Sequence, residues 1–163
     1  MLFSPGLKAQ TLQANTLNLS FAADASLPTG SATIGSNFSL GAIGQFQYAV
    51  SNSFAFTLSS GADHFFMKYI PGTNQRYDSF GIIPIRAGVK YFFVPNVYVA
   101  GEAGIGIEAT DPGDGPWRRR LDLSPALGYA SGHWDFGFRY DRYSLNHGEY
   151  GLIGLRLAYG FKL

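Results

Sequence analysis

Five ionisable residues sit in the middle of alternating segments, where charges are unusual, and they offer most of the chemistry in this sequence. They are Arg86, Lys90, Glu102, Arg139 and Arg156. Six acidic residues share their parity, namely Asp24, Asp63, Glu108, Asp122, Asp135 and Asp141. Asp135 is expected to join the five in one group of lumen charges. Charges of both signs on one face of neighbouring strands can pair into a salt-bridge network, or they can line a path for ions. We favour the network and keep the ion path as the alternative.

The strand order predicts which of these charges meet. If consecutive segments pair as antiparallel strands, Arg86 should lie close to Glu102. In the same way, Arg139, together with Asp141 or Asp135, should lie close to Arg156. The sequence therefore predicts a charged lumen network inside whatever the strands enclose.

Catalytic and metal-binding patterns are weak. A hydrolase needs a His, a Ser and an acid close together, and only His147, Ser144 and Glu149 are so clustered. Asp111 and Asp114 lie in TDPGDG, which reads as a turn rather than a calcium loop, because the twelve-residue spacing and its terminal Glu are missing. There is no cysteine, so thiolate metal sites are excluded. We expect no enzymatic activity, no cofactor and no metal; a lipid-modifying hydrolase at a barrel rim is kept as an alternative.

Alternation of large apolar with small or polar residues recurs along nearly the whole chain, which predicts β-strands. We expect eight: 16–27, 37–50, 54–66, 79–93, 97–109, 119–131, 134–145 and 150–163. Short connections (51–53, 94–96, 131–133) alternate with longer ones (28–36, 69–78, 110–118), with 146–149 as a short exception. Short turns at one end and longer loops at the other are typical of outer-membrane barrels.

The two faces of these strands predict what surrounds them. One face carries bulky residues, as in Ile153, Leu155, Leu157, Tyr159 and Phe161 of the last strand. The other face carries glycine, alanine, serine and the charges, which suits a narrow interior better than a soluble exterior. Strands of 11 to 15 residues also cover the roughly 9 to 11 residues needed to cross a bilayer. Because lipid cannot hydrogen-bond a backbone, such strands must close. The sequence predicts an all-β, eight-stranded, antiparallel, up-and-down transmembrane β-barrel.

Aromatic residues are expected to mark the membrane interfaces. A girdle at the short-turn end is predicted from Tyr48, Phe54, Tyr91, Phe93, Trp134, Tyr159 and Phe161. A second set near the long-loop rim would mark the other interface: Phe65, Phe66, Tyr69, Tyr77, Phe80, Trp117 and Tyr143.

Composition excludes several classes of protein. The 163 residues carry 12 Lys and Arg against 11 Asp and Glu, so a basic nucleic-acid surface is not expected. No apolar run is long enough for a transmembrane helix. Residues 1–9 read as a truncated signal-peptide remnant or a flexible arm, and residues 10–163 as a single transmembrane barrel domain.

Four stretches together resemble a known family. IPIRAGVKYFFVPNVYVAGEAGIGIE (83–108), SPALGY (124–129), FGFRYD (136–141) and YGLIGLRLAYGF (150–161) resemble the small outer-membrane β-barrel proteins of Bacteroidetes-type bacteria, in the OmpA/OmpX-like group. The resemblance covers roughly Leu17 to Leu163. It implies an integral bacterial outer-membrane location and a monomeric barrel without catalytic residues. The alternating C-terminus also resembles the signal read by the outer-membrane insertion machinery.

These observations lead to a functional expectation. We expect an outer-membrane protein with a structural or interaction role: membrane integrity, surface contact, or an accessory subunit of a larger outer-membrane complex. Its partners would be the lipid bilayer, lipopolysaccharide at the outer rim, where WRRR (117–120) could meet anionic headgroups, and another outer-membrane protein. A narrow channel or small-solute transporter is the main alternative. A soluble lipocalin-type barrel is disfavoured by the charged interior.

Overall fold

The computed structural model describes residues 12–76, 80–110, 118–145 and 148–163. Within them lie eight strands and one short 3-10 helix, Ser31–Thr33. The strands are β1 Thr16–Gly30, β2 Ser36–Ala49, β3 Phe54–Met67, β4 Phe80–Val94, β5 Val97–Thr110, β6 Arg118–Ser131, β7 Trp134–Leu145 and β8 Gly148–Lys162. The predicted residues 1–9, Asp111, Asp114, Trp117, Tyr77 and His147 lie outside the described residues.

The strands form one closed barrel in sequence order. Each strand pairs antiparallel with the next, and β8 pairs antiparallel with β1, from Asn18–Lys162 to Gly30–Tyr150. Closure leaves no strand of the sheet with an unpaired edge. The predicted all-β, eight-stranded up-and-down barrel is therefore confirmed.

The predicted strand ends are close to the observed ones, with one exception. The loop expected at 28–36 is shorter than predicted, because β1 continues through Gly30 and β2 begins at Ser36. Pro28 and Thr29 pair with Leu152 and Gly151 of β8, and this ladder continues to Gly30–Tyr150. The β1–β2 ladder already ends at Ser26–Ser39, so Pro28 lies where β1 has a ladder partner on the β8 side only, and a proline without an N–H is tolerated there.

The exterior of the barrel is apolar and the interior is polar. Large side chains point outward with much of their surface exposed, for example Phe21 at 59% and Leu155 at 65%. Charged side chains point inward and are buried, for example Arg86 at 1% and Arg139 at 2%. A soluble barrel would show the reverse. The band of exposed apolar side chains is the surface that a β-barrel presents to lipid.

The short-turn end of the barrel is built from tight connections. Asn96 between β4 and β5 and Gly132 between β6 and β7 both have positive φ, 70° and 63°, as two-residue hairpins require. The chain enters β1 at this same end. Leu12 is buried in the mouth of the barrel, against Ala49 and Ala55. No helix among the described residues is long and apolar enough to cross a membrane.

Candidate functional site

Asp24 joins two arginines at the centre of the lumen. The Arg156 guanidinium donates to it at 2.9 and 2.8 Å, and the Arg139 guanidinium donates at 3.2 Å. Arg139 also donates to Asp141 at 2.6 Å and to the Ser124 hydroxyl at 2.7 Å. Strands β1, β6, β7 and β8 are thus linked across the interior. Arg156 was expected next to Asp141 or Asp135, but it is bonded to Asp24, which it shares with Arg139.

Arg86 is the centre of a second group one layer nearer the long loops. Its Nε donates to Asp122 at 2.5 Å, its Nη2 donates to the Tyr143 hydroxyl at 2.7 Å, and Asp141 lies 3.4 Å away. Asp141 therefore contacts both Arg86 and Arg139 and connects the two groups. All four side chains are almost completely buried.

Glu102 does not pair with Arg86, contrary to the contact expected from the sequence. The β4–β5 register sets Arg86 opposite Gly104 and Glu102 opposite Gly88. Glu102 instead accepts hydrogen bonds from Gln45 at 2.9 Å, Thr57 at 2.9 Å and Ser59 at 3.1 Å, which lie on β2 and β3. The hydrogen-bond donors to the Glu102 carboxylate are therefore uncharged, and they lie on strands that are distant from β5 in the sequence.

Lys90 and Asp135 form a separate pair nearer the short-turn end. The Lys90 ammonium lies 2.7 Å from Asp135 Oδ2 and 4.2 Å from the centre of the Tyr98 ring. The Tyr98 hydroxyl donates to Asp135 Oδ1 at 2.6 Å. Both carboxylate oxygens are therefore engaged. Tyr98 was not expected here, although its parity places it on the inner face.

An aromatic and aliphatic plug fills the lumen toward the long loops. We use this name for Phe65, Ile82, Tyr143, Tyr150 and Leu152, which form one buried cluster. Above it, Arg120 pairs with Glu108, and the Tyr150 hydroxyl donates to Glu108 at 3.1 Å. Inward aromatic side chains thus occupy the space that a channel would need.

The second girdle expected at the long-loop rim is partly wrong, because some of its residues lie in the plug. Phe65 and Tyr143 point into the barrel and are at most 1% exposed, and Phe80 packs against them. Phe66 and Tyr69 are exposed, as that girdle required, whereas Tyr77 and Trp117 lie outside the described residues. Alternation decides this difference, because neighbouring aromatics in one strand must face opposite sides of the sheet.

One cavity lies at the short-turn end of the barrel, and a second lies within the charged network. The larger, about 440 Å³, is the mouth of the barrel, which we call the vestibule; it is lined by Leu12, Asn18, Gln47, Lys90 and Lys162 among others. The smaller, about 30 Å³, lies deeper, between Glu102, Arg139 and Arg156. Ser20, Lys90 and Asp135 line both. The Lys90–Asp135 pair therefore forms the floor that separates them.

The seven residues expected in the girdle all lie at the short-turn ends of their strands. Phe54 pairs with Tyr91 across β3 and β4, and Trp134 pairs with Tyr159 across β7 and β8. The rings of Trp134 and Tyr159 are 5.0 Å apart, and Tyr159 and Phe161 are 5.1 Å apart. Tyr48 and Phe93 are exposed on the outer face at the same level.

The residues considered for catalysis or metal binding are not assembled into a site in the described part of the chain. Glu149 accepts from Arg142 at the long-loop rim, and its proposed partner His147 is not described. His64 lies on the outer face of β3, and His133 lies in the β6–β7 turn, with its Nδ1 2.9 Å from the Gly160 carbonyl. Within the described ranges, no group of three or more His, Cys, Asp or Glu could hold a metal ion.

The fold is similar to those of small outer-membrane barrels, whereas no protein-family model and no curated protein sequence matches the chain. Ail of Yersinia pestis, the attachment invasion locus protein, has a TM-score of 0.63 at 15% identity, covering 91% of this chain and 100% of Ail. It is also known in complex with the heparin analogue sucrose octasulfate.

Two further barrels of similar fold come from other bacteria. Neisserial surface protein A has a TM-score of 0.56 at 17% identity, covering 91% of this chain and 98% of that protein. The N-terminal barrel of Pseudomonas aeruginosa OprF has a TM-score of 0.53 at 11% identity, with 91% and 98% coverage. Fold and lipid-facing exterior together are those of an integral outer-membrane protein.

Proposed function

We propose that this chain is an outer-membrane barrel that acts through its surfaces and not as a pore. Its role is structural or interactive: membrane integrity, surface contact, or service as an accessory subunit beside another outer-membrane protein. The barrel supplies a rigid scaffold, and the parts available for contact are the long-loop rim, the lipid-facing wall and the short-turn mouth.

The closed lumen is the observation that carries this proposal. From the floor of the vestibule upward, the interior contains the Lys90–Asp135 pair, the arginine–aspartate network and then the plug. The cavity within the network, about 30 Å³, has room for one or two water molecules but not for a solute. A narrow channel, the alternative predicted from the sequence, would require these buried groups to move aside.

The outer surface indicates how the barrel is oriented in the membrane. Short turns of outer-membrane barrels face the periplasm, which sets the girdle of Tyr48, Trp134 and Phe161 at the inner interface. At the opposite rim, Arg119 is exposed, and its register partner Ile107 places it on the outer face. An arginine at this level can contact the phosphate groups of lipopolysaccharide.

A surface-contact role also has a precedent among barrels of the same fold. Ail is named as an attachment protein and has been observed with a polysulfated ligand. The likeness to Ail is one of fold, so any recognition chemistry must come from this chain's own rim. Membership of the OmpA/OmpX-like group and of the Bacteroidetes-type proteins stays a prediction.

Conductance measurements test the closed lumen. We expect the purified full chain to give no stable single-channel currents in a planar bilayer, because the plug and the network block the path. A larger porin, whose barrel encloses an aqueous channel, serves as the conducting control in the same bilayer. Steady currents from the wild type that change with Glu102→Gln would contradict the proposal and support the channel.

A further inference from the structure

The vestibule has the size and enclosure of a small-ligand site. At about 440 Å³ it falls within the range of pockets that bind organic molecules. The plug and the network close it on the long-loop side, and the Lys90–Asp135 pair forms its floor. A ligand could therefore reach it only through the short-turn mouth.

The charges that line the vestibule favour an anion. Lys90 lines the floor of the vestibule and is 4% exposed, with its ammonium against Asp135 and the Tyr98 ring. An ammonium group has three donors, so a ligand at the floor can share Lys90 with Asp135. Lys162 stands at the rim, where it donates to the Gln13 side chain. Asp135 is the one acidic side chain in the described lining, and Lys90 and Tyr98 already engage its two oxygens. The lining thus carries one more formal positive charge than negative.

The uncharged walls provide further hydrogen bonding on one side and apolar contact on the other. Thr16, Asn18 and Ser20 on β1 and Gln47 on β2 contribute hydroxyl and amide groups. Phe92 on β4 and Ala130 on β6 form the opposing wall. A cavity with two ammonium groups, amide donors and an apolar side is suited to a compact organic anion.

We propose that the vestibule binds a small carboxylate from the short-turn side, with Lys90 and Lys162 as the cationic contacts. The carboxylate can belong to a free organic acid or to the C-terminal end of a peptide, since both present the same group. Gln13 competes with the ligand, because Lys162 donates a hydrogen bond to the Gln13 side-chain oxygen that it would otherwise donate to the carboxylate. Binding does not require the lumen to conduct, so it stands independently of the closed-barrel proposal.

Isothermal titration calorimetry gives a direct test. The full chain, refolded in detergent micelles, is titrated with succinate, with the N-acetylated tripeptide Ala-Ala-Ala, and with the C-terminal amide of the same acetylated peptide. Saturable binding of succinate or of the free-carboxyl peptide is expected, and the amide should not bind.

Variants locate the site. Lys162→Gln should weaken binding about tenfold, the usual loss for one charge-assisted hydrogen bond. Gln13→Ala should tighten it by releasing Lys162. Lys68→Gln, at the opposite end where Lys68 bonds the Thr33 carbonyl, is the matched control and should change nothing. Lys162→Gln is preferred to Lys90→Gln because Lys162 is exposed and its replacement leaves the Lys90–Asp135 ion pair intact.

The results distinguish a free organic acid from the C-terminal end of a peptide, and they show whether the vestibule binds a carboxylate. Tighter binding of succinate indicates a free acid, and tighter binding of the peptide indicates a chain end. The absence of saturable binding by either probe, or equal binding by Lys162→Gln and Lys68→Gln, would overturn the proposal. Neither result would alter the conductance expected of the closed barrel.

Discussion

The structure of the barrel interior depends on individual buried charges and their partners. Asp24 is 3% exposed and is bonded to two arginines on two different strands, and Arg139 is shared between Asp24 and Asp141. A buried ion is tolerable only when its partners replace the water it has lost. Each member of the network therefore depends on the others, and removing one leaves a buried charge without its partner.

Asp24→Asn should destabilise the protein strongly. The amide keeps the shape of the side chain but removes the negative charge that Arg139 and Arg156 share, and breaking a buried pair costs about 3–5 kcal/mol. The free energy of unfolding in urea, followed by tryptophan fluorescence in lipid vesicles, measures the loss. Glu149→Gln is the matched control, because the Arg142–Glu149 pair is more than half exposed at the rim. A loss no larger for Asp24→Asn than for this control would show that the network does not stabilise the barrel.

At the scale of the strand, glycine makes room for large inward side chains. A Cβ on Gly88 would stand 2.8 Å from Glu102 Cγ, and a Cβ on Gly128 would stand 2.3 Å from the Tyr98 ring. In each case the glycine lies on a neighbouring strand beneath a long side chain. The small-residue face of each strand is thus complementary to the charged and aromatic residues of the next one, which is how a narrow lumen holds them.

Two glycines of β5 should respond differently to the same change. A Cβ at Gly104, on the inner face, would stand 1.9 Å from the Ile85 carbonyl oxygen, whereas a Cβ at Gly101, on the outer face, meets nothing within 4 Å. Gly104→Ala is expected to lower the unfolding free energy by about 1–3 kcal/mol through overpacking. Gly101→Ala should leave it nearly unchanged. The urea midpoints of the two variants test this, and equal midpoints would mean that β5 can shift without cost.

For the molecule as a whole, stability depends most on which face of the strands points to lipid and which points into the lumen. The barrel places apolar side chains against lipid and polar ones inside, so the hydrophobic effect acts between the wall and the membrane rather than within a core. The lumen is then stabilised by ion pairs and hydrogen bonds, and the strands by closure. Such a molecule needs a membrane or detergent to fold, because its largest apolar surface has no partner within the chain.

Adjacent residues of β8 test this orientation. Leu157 is 42% exposed on the outer wall, and Ala158 is 4% exposed inside. Leu157→Arg should impair insertion, because a charge facing lipid near mid-depth costs about 2–4 kcal/mol. Ala158→Ser should be tolerated. The fraction of protein whose electrophoretic mobility shifts on heating reports insertion, and equal tolerance of both changes would mean that the barrel faces were assigned the wrong way round.

Much of the fold could be predicted because alternation is a local property. Ile153, Leu155 and Leu157 alternate with Gly154, Arg156 and Ala158, so the strand and its two faces can be recognised from neighbours in the chain. The number of strands and the inward parity of the six network residues follow in the same way. The extent of β1 was less predictable, because Pro28 and Gly30 are turn residues locally and only their pairing with Leu152 and Tyr150 of β8 keeps them in the ladder.

The sequence by itself determined the eight strands, their inner and outer faces and hence the inward position of the charges. Only the tertiary structure decided which charges meet, that Asp24 joins Arg139 to Arg156, that Glu102 is bonded by Gln45, Thr57 and Ser59, and that Phe65 and Tyr143 close the lumen. The physical reason is the range of the interactions. Alternation is set by each strand's own backbone geometry, whereas contacts across a closed lumen depend on register and curvature accumulated over all eight strands.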